Sequence, residues 1–331
     1  GAFKVVVVAA LLNAMGFYFA SISAGLITNS LWHLLIGFGT GASFAPLVAD
    51  VSLWFRKRRG VAVAIASSGN YFSGAVWPFL LGSTLENQGW ETVYQFLAII
   101  SIGVMIPLAF LLKRRLSQKL MNLENVKARD NMASAKISKN LLIVLLSFAG
   151  FGCCVAMSMP QIHIVALCTD LGFTIKIGSE MLSLMLIGGI ISRFVSGLLA
   201  DYWGGVMTLL IGSTLQCLSL FLFLPFDGLI SLYVVSLIFG LSQGGIVPSY
   251  TMIIREYLPA NEAGAKAGLV LMMTILGMAF GGWISGLIFD FTQSYKIALW
   301  NGILFNLINI CIIVFIFFRT KNAKSLSTII V

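Results

Sequence analysis

Long apolar runs alternate with short polar connections along almost the whole chain. Ten runs approach or exceed the ~20 residues that an α-helix needs to cross a ~30 Å hydrocarbon layer at ~1.5 Å per residue. They cover residues 4–27, 31–54, 60–82, 93–113, 140–168, 180–203, 205–225, 230–254, 265–289 and 296–318. Only 10% of the residues are charged, whereas a soluble domain carries roughly 25%. The pattern therefore predicts an all-α, polytopic membrane protein that is embedded in the lipid bilayer.

Charged residues sort to opposite ends of the predicted helices. Basic residues dominate every second connection, above all the connection 113–139. The acidic residues of the opposite connections are Glu86, Glu91, Asp170, Glu180, Asp227 and Asp290. Basic connections face the cytoplasm in multi-pass membrane proteins. We therefore expect both termini and 113–139 in the cytoplasm, and the plasma (inner) membrane as the location. Topology accounts for the formal charge of +9, so nucleic acid is not an expected partner.

The chain repeats itself at a shift of about 204 residues. Residues 60–62 fall on 264–266, and Gly82 falls on Gly286. This repeat predicts two pseudo-symmetric helical bundles, 1–112 and 140–331, joined by the basic linker 113–139. The first bundle then holds four helices and the second six. We expect two further helices before Gly1, which would make twelve in the intact protein.

A short motif at the end of the sixth run gives the first family resemblance. Residues 197–204 read GLLADYWG, in which Gly197, Asp201 and Gly204 occupy fixed positions. The sequence resembles the loop motif G-x-x-x-D-[RK]-x-G-[RK]-[RK] of major facilitator transporters. The resemblance implies that Asp201 stabilises a closed cytoplasmic gate, near the positive N-terminus of the helix that begins at Gly60. Arg58 or Arg59 would add to this gate.

Within that superfamily the chain most resembles the monocarboxylate-transporter branch, including bacterial relatives of the oxalate:formate exchanger type. The similar residues are PQIHIVA at 160–166, DLG at 170–172, and Arg193. The branch commonly holds a substrate-binding arginine in its eighth helix, and Arg193 matches that position. Gly189 stands where some members have an aspartate, and the interior of 267–289 lacks the lysine of the exchanger type. The resemblance therefore implies an organic anion without identifying the coupled ion.

The position of Arg193 points to the same chemistry independently of the resemblance. It lies eight residues before Asp201, ~12 Å along the helix and near the bilayer midplane. A guanidinium at that depth is costly unless it is paired, yet no acidic residue lies one turn away. Either Arg193 binds a substrate carboxylate through its planar fork, or it is structural and pairs with an acid on the two further helices.

Several other polar side chains lie within the predicted spans. They are Asn70, Tyr71, Gln161, His163, Gln243 and Thr274, and we expect them to line the substrate path. The alternative for each is a hydrogen bond between packed helices. His163 lies beyond Pro160 and could carry a coupled proton, a role that histidine side chains commonly take in proteins.

These observations predict a secondary active transporter that moves a small organic anion, a monocarboxylate, by alternating access. A proton or a counter-anion would be coupled, which makes the protein a symporter or an antiporter. One alternative is another major facilitator substrate class, namely a sugar, a drug or an amino acid. The other is a membrane-embedded enzyme, but the sequence shows neither a nucleophile–base set nor metal ligands. We expect no cofactor and no metal.

Overall fold

The computed structural model describes residues 2–55, 57–113, 118–225 and 227–327, and over these residues all regular structure is helical. The helices are α1 (Ala2–Ser21), α2 (Leu26–Trp54), α3 (Arg59–Gly103), α4 (Met105–Ala109), α5 (Gln118–Ser134), α6 (Lys139–Asp170), α7 (Ile175–Trp203), α8 (Gly205–Leu222), α9 (Leu229–Gln243), α10 (Ile246–Tyr257), α11 (Ala260–Thr292) and α12 (Tyr295–Ser327). A short 3₁₀ helix, Phe110–Lys113, follows α4. The all-α fold is confirmed.

Nine stretches within the described ranges are long and apolar enough to cross a membrane. They account for nine of the ten predicted runs, and the protein is a multi-pass integral membrane protein. The tenth run, 60–82, is helical as the first part of α3 but is not among the nine. Its middle is polar, with Ser67, Ser68 and Asn70 in close succession. This part of α3 packs against α7 of the other half, which explains why it is less apolar than a helix surrounded by lipid.

Helix α3 contains two predicted runs. The chain bends between them, and the backbone is helical on both sides of the bend. The bend is at Gly89, where φ is 84° and ψ is 169°. A residue with a side chain rarely adopts this φ, whereas glycine does so readily. The predicted connection between 82 and 93 is therefore a single glycine kink, and the second arm continues through α4 to Lys113.

The run 230–254 was predicted as one helix, but the structure divides it into α9 and α10 at Gly244 and Gly245. Both glycines press against α7. A Cβ at Gly244 would overlap the carbonyl oxygen of Gly189, and one at Gly245 would overlap the side chain of Ser196. The break therefore lies where the backbone of this segment approaches α7 most closely.

The two halves meet along α3 with α7 and along α2 with α11. At the end of the bundle that carries Asp201, called the Asp201 end below, a small apolar cluster spans both halves. It consists of Val48, Val63, Ala200 and Met252, which come from α2, α3, α7 and α10. The charge pattern predicts that the Asp201 end faces the cytoplasm.

The basic linker contains helix α5, which is docked on the C-terminal half. The Asn131 side chain donates a hydrogen bond to the Glu256 carbonyl oxygen at 2.8 Å. The Asn125 side-chain oxygen accepts one from the backbone N–H of Ala260 at 2.7 Å, and so satisfies a free donor at the start of α11. The exact bundle boundaries remain a prediction.

Candidate anion-binding site

Arg193 lies in the contact between the two halves and is only 2% exposed. From the C-terminal half, the carbonyl oxygen of Gly244 accepts a hydrogen bond from Nε at 3.0 Å. From the N-terminal half, Nη1 donates to the Ser67 carbonyl oxygen and to Asn70 Oδ1. The guanidinium carbon lies 3.9 Å from the centroid of the Tyr71 ring, in cation–π geometry. Arg193 therefore contacts both halves of the protein at once.

The Gly244 carbonyl oxygen is available to Arg193 because it lacks the usual helical donor. In an uninterrupted helix it would accept from the backbone N–H four residues later, but that residue is Pro248, which has no N–H. A buried carbonyl without a donor is costly, and Arg193 supplies one. The spacing of a glycine and a proline by four residues thus creates an acceptor for the arginine inside the membrane.

Within the described part of the chain, each hydrogen-bond acceptor of Arg193 is uncharged. A side chain one turn earlier, at Gly189, would have to displace the Tyr71 ring, because a Cβ would lie 2.7 Å from Cε2 of Tyr71. Some members of the resembling branch have an aspartate where this chain has Gly189. Here the Tyr71 ring occupies the space that such a side chain would need. Arg193 thus brings a positive charge to a set of neutral acceptors.

The two sides of Arg193 differ in how closely the protein packs. Toward the Asp201 end, a cavity of about 10 Å³ lies beside Ala64, Gly197 and Met252. That volume is at the lower limit for one water molecule. On the other side of the contact, the side chain of Asn70 is exposed. The site is therefore closed toward the Asp201 end.

Asp201 joins the two halves at this end by binding the start of α3. Its Oδ1 accepts the backbone N–H of Gly60 at 2.6 Å, and its Oδ2 accepts that of Val61 at 3.2 Å. These N–H groups are the free donors of a helix N-terminus, where a negative charge is stabilised. Close approach needs Gly197, since a Cβ there would lie 2.7 Å from the Gly60 carbonyl oxygen. Gly204, with φ 82°, ends α7 immediately after the motif.

The two arginines predicted at the gate have different surroundings. Arg59 Nε donates to the Ser52 carbonyl oxygen at 3.0 Å, which joins α3 to α2 within the N-terminal half. Arg58 is exposed and directly precedes α3. Their predicted contribution to the gate stays a prediction.

The remaining predicted residues lie in the C-terminal half. His163 Nε2 is 2.9 Å from the Gly282 carbonyl oxygen, and the His163 ring tilts against Tyr295. Thr274 is buried and donates to the Leu271 carbonyl oxygen at 2.6 Å. These contacts fit interhelical packing, and a substrate role for either residue stays a prediction.

Two glutamines of the predicted set keep unused hydrogen-bonding groups. Gln243 directly precedes the break at Gly244 and is 0% exposed, and neither amide atom has a hydrogen-bond partner among the described residues. The buried Gln161 Nε2 is also without a partner in the same ranges. An unsatisfied buried amide costs about 1–3 kcal/mol, so both side chains are candidates for contact with a polar guest.

Sequence reasoning brought Arg193, Asn70 and Tyr71 to attention, and the structure places them together. The sequence did not indicate the carbonyl groups of Ser67 and Gly244, because every residue has a backbone carbonyl and no motif marks these two. The four-residue spacing of Gly244 and Pro248 is the signal that could have found one of them.

Known proteins resemble this chain in sequence. It is 25% identical over 295 residues to monocarboxylate transporter 13 of Rattus norvegicus, covering 88% of this chain and 68% of that protein. It is 22% identical over 258 residues to the MFS-type transporter pynF of Aspergillus niger, covering 76% and 57%. The chain thus spans about three fifths to two thirds of the length of these relatives.

Solved structures share the fold at low sequence identity. The human organic anion transporter MFSD10 (TETRAN) superposes with a TM-score of 0.75 at 14% identity, covering 95% of this chain and 77% of that one. The transporter FucP in the outward conformation gives a TM-score of 0.68 at 14% identity, covering 96% and 82%. The sequence model of the Major Facilitator Superfamily matches residues 1–178 and 144–329. Because these matches extend over nearly the whole sequence, the chain belongs to the Major Facilitator Superfamily of transporters.

Proposed function

We propose that the protein is a secondary active transporter that moves a small organic anion, a monocarboxylate, by alternating access. The observation that carries this proposal is Arg193, a buried cation whose described acceptors are all neutral. A neutral substrate such as a sugar would leave that charge uncompensated, whereas a carboxylate would neutralise it. The names of two similar proteins, a monocarboxylate transporter and an organic anion transporter, support the same class of substrate.

Binding would proceed by exchange of acceptors. A carboxylate that enters beside the exposed Asn70 can replace Asn70 Oδ1 and the Ser67 carbonyl oxygen at the guanidinium. It would form two charge-assisted hydrogen bonds, which are stronger than bonds to neutral acceptors. The Tyr71 ring beside Arg193 supplies an apolar wall for the short carbon chain of the substrate. The geometry suits a small anion with one planar anionic group.

Release to the other side requires the Asp201 end to open. There the residues of the apolar cluster would move apart and the Asp201 hydrogen bonds would break, while the opposite end closes over the site. The charge pattern predicts that the Asp201 end faces the cytoplasm, and binding would then start from outside.

An uptake screen tests the substrate class. Proteoliposomes that contain the purified protein are supplied with labelled monocarboxylates, dicarboxylates and neutral sugars of similar size. We expect uptake of monocarboxylates, inhibition by other small carboxylates, and no inhibition by the corresponding amides, which lack the charge. Uptake of a sugar that carboxylates do not inhibit would contradict the proposal.

Asp201→Asn is expected to slow transport about 5- to 30-fold without preventing membrane insertion. The substitution removes a negative charge from the start of α3, a contact worth about 1–2 kcal/mol in partly buried sites. The closed state of the Asp201 end becomes less stable, so fewer carriers complete the cycle. Initial uptake rates at equal membrane expression measure the effect. Asp227→Asn, at an exposed aspartate in a different connection, is the matched control. Equal rates for the two variants would remove Asp201 from the gate.

A further inference from the structure

We propose that a groove beside the linker helix α5 binds the head group of an anionic phospholipid. The groove has a volume of about 380 Å³ and lies between α5, the start of α6 and the connection from α10 to α11. Its lining includes Arg129, Met132, Ile137, Lys139, Tyr257 and Pro259. It is separate from the Arg193 site, and the proposal does not depend on the transported substrate.

The cationic residues of the groove are arranged for a phosphate group. Arg129 has an exposed side chain and makes no hydrogen bond or ion pair with the described residues. Lys139 is held in place by an ion pair with Glu262. The charges of Arg129, Lys139 and Lys266 all act on this one carboxylate. The exposed guanidinium of Arg129 beside the fixed ammonium of Lys139 matches the oxygen atoms of a phosphate.

The other walls of the groove favour a lipid over a soluble anion. Met132, Ile137, Tyr257 and Pro259 provide a largely apolar surface next to the two cationic groups. A free phosphate gains nothing from such a surface, whereas the glycerol and first methylene groups of a lipid can pack on it.

The location of the groove also favours a lipid. It lies where three candidate membrane spans, Lys139–Asp170, Leu229–Tyr257 and Ala260–Thr292, begin or end, so we expect it at the height of the lipid head groups. The basic connections predict that this height belongs to the cytoplasmic leaflet, where anionic lipids attract basic segments. A bound lipid would contact α5 and the C-terminal half together.

The test is titration of the purified protein in neutral detergent with phosphatidylglycerol, counting bound lipid by native mass spectrometry. Arg129→Gln removes the exposed guanidinium from the groove. Lys127→Gln is the matched control, because Lys127 is an exposed cation of the same helix that does not line the groove. We expect the apparent affinity to fall about fivefold or more in Arg129→Gln, consistent with ~1 kcal/mol per basic residue near lipid, and less than twofold in Lys127→Gln.

Three results would overturn the proposal. An equal loss in both variants would show diffuse attraction to a basic surface rather than a site. Displacement of phosphatidylglycerol by millimolar glycerol 3-phosphate, with phosphatidylcholine bound equally well, would show that the apolar walls and the lipid charge do not contribute. Retention of wild-type affinity in Arg129→Gln would remove the guanidinium from the interaction. Because Arg129 is exposed, its replacement should leave folding intact, and the intact mass and elution volume of the variant check this.

Discussion

Arg193→Ala is expected to abolish uptake of small carboxylates. The substitution removes both charge-assisted hydrogen bonds to the substrate, each worth about 1.5–3 kcal/mol, so affinity should fall by at least two orders of magnitude. It also leaves the carbonyl groups of Ser67 and Gly244 without their arginine donor. Uptake of labelled monocarboxylate at matched membrane expression measures the effect.

Two milder variants separate binding from structure at this site. Arg193→Lys keeps the charge but lacks the planar fork, so we expect weakened uptake that rises again at high substrate concentration. Arg193→Gln can still donate to a neighbouring carbonyl but has no charge, so we expect no carboxylate uptake. If Arg193 were purely structural, the neutral glutamine would serve at least as well as lysine, and the order of the two variants would be reversed.

Gly197→Val is expected to stop the Asp201 end from closing and to reduce transport at least tenfold. A Cβ at Gly197 would lie 2.7 Å from the Gly60 carbonyl oxygen and 2.8 Å from Ala64 Cβ. Neither neighbour is the end of a flexible side chain, so α3 and α7 must move apart. Overpacking of this kind costs typically 1–3 kcal/mol, and here that cost applies only to the closed state. The equilibrium should shift toward carriers that are open at the Asp201 end.

A cysteine placed at Ala200, in the apolar cluster that spans both halves, reports this shift. We expect faster labelling by a membrane-impermeant maleimide from the Asp201 side in Gly197→Val than in the otherwise wild-type protein. Gly103→Val is the matched control, because Gly103 is exposed and a Cβ there meets no atom within 4 Å. Slow labelling together with normal uptake in Gly197→Val would contradict the proposed gate.

The sequence predicted the membrane-spanning helices well, because their length and apolarity follow directly from the thickness of the bilayer. The family resemblance implied that Asp201 lies near the start of the helix at Gly60, and the structure shows its carboxylate bonded to the Gly60 and Val61 N–H groups. The break between α9 and α10 was missed, although Gly244, Gly245 and Pro248 were visible. Short interruptions within an apolar run leave its mean hydropathy almost unchanged, so the run was predicted as one helix.

Other features depend on tertiary contacts that one sequence does not encode locally. The Tyr71 ring fills the space in front of Gly189, and the two residues are 118 positions apart. The linker was predicted as a basic connection, but two asparagines dock its helix on the C-terminal half through backbone groups of Glu256 and Ala260. Backbone N–H and C=O groups occur in almost every residue, so only the folded structure shows which of them accept or donate these hydrogen bonds.

The hydrogen bonds of Arg193 to both halves bear on the kinetics of the proposed cycle. Gly244 moves with Arg193 because both belong to the C-terminal half, whereas Ser67 and Asn70 belong to the other half. When the Asp201 end opens, an empty carrier loses these two acceptors, but a loaded carrier keeps a carboxylate in their place. The empty carrier therefore faces the higher barrier on its return. Substrate on the far side should speed turnover, so one-for-one exchange is expected to outpace net efflux from preloaded vesicles.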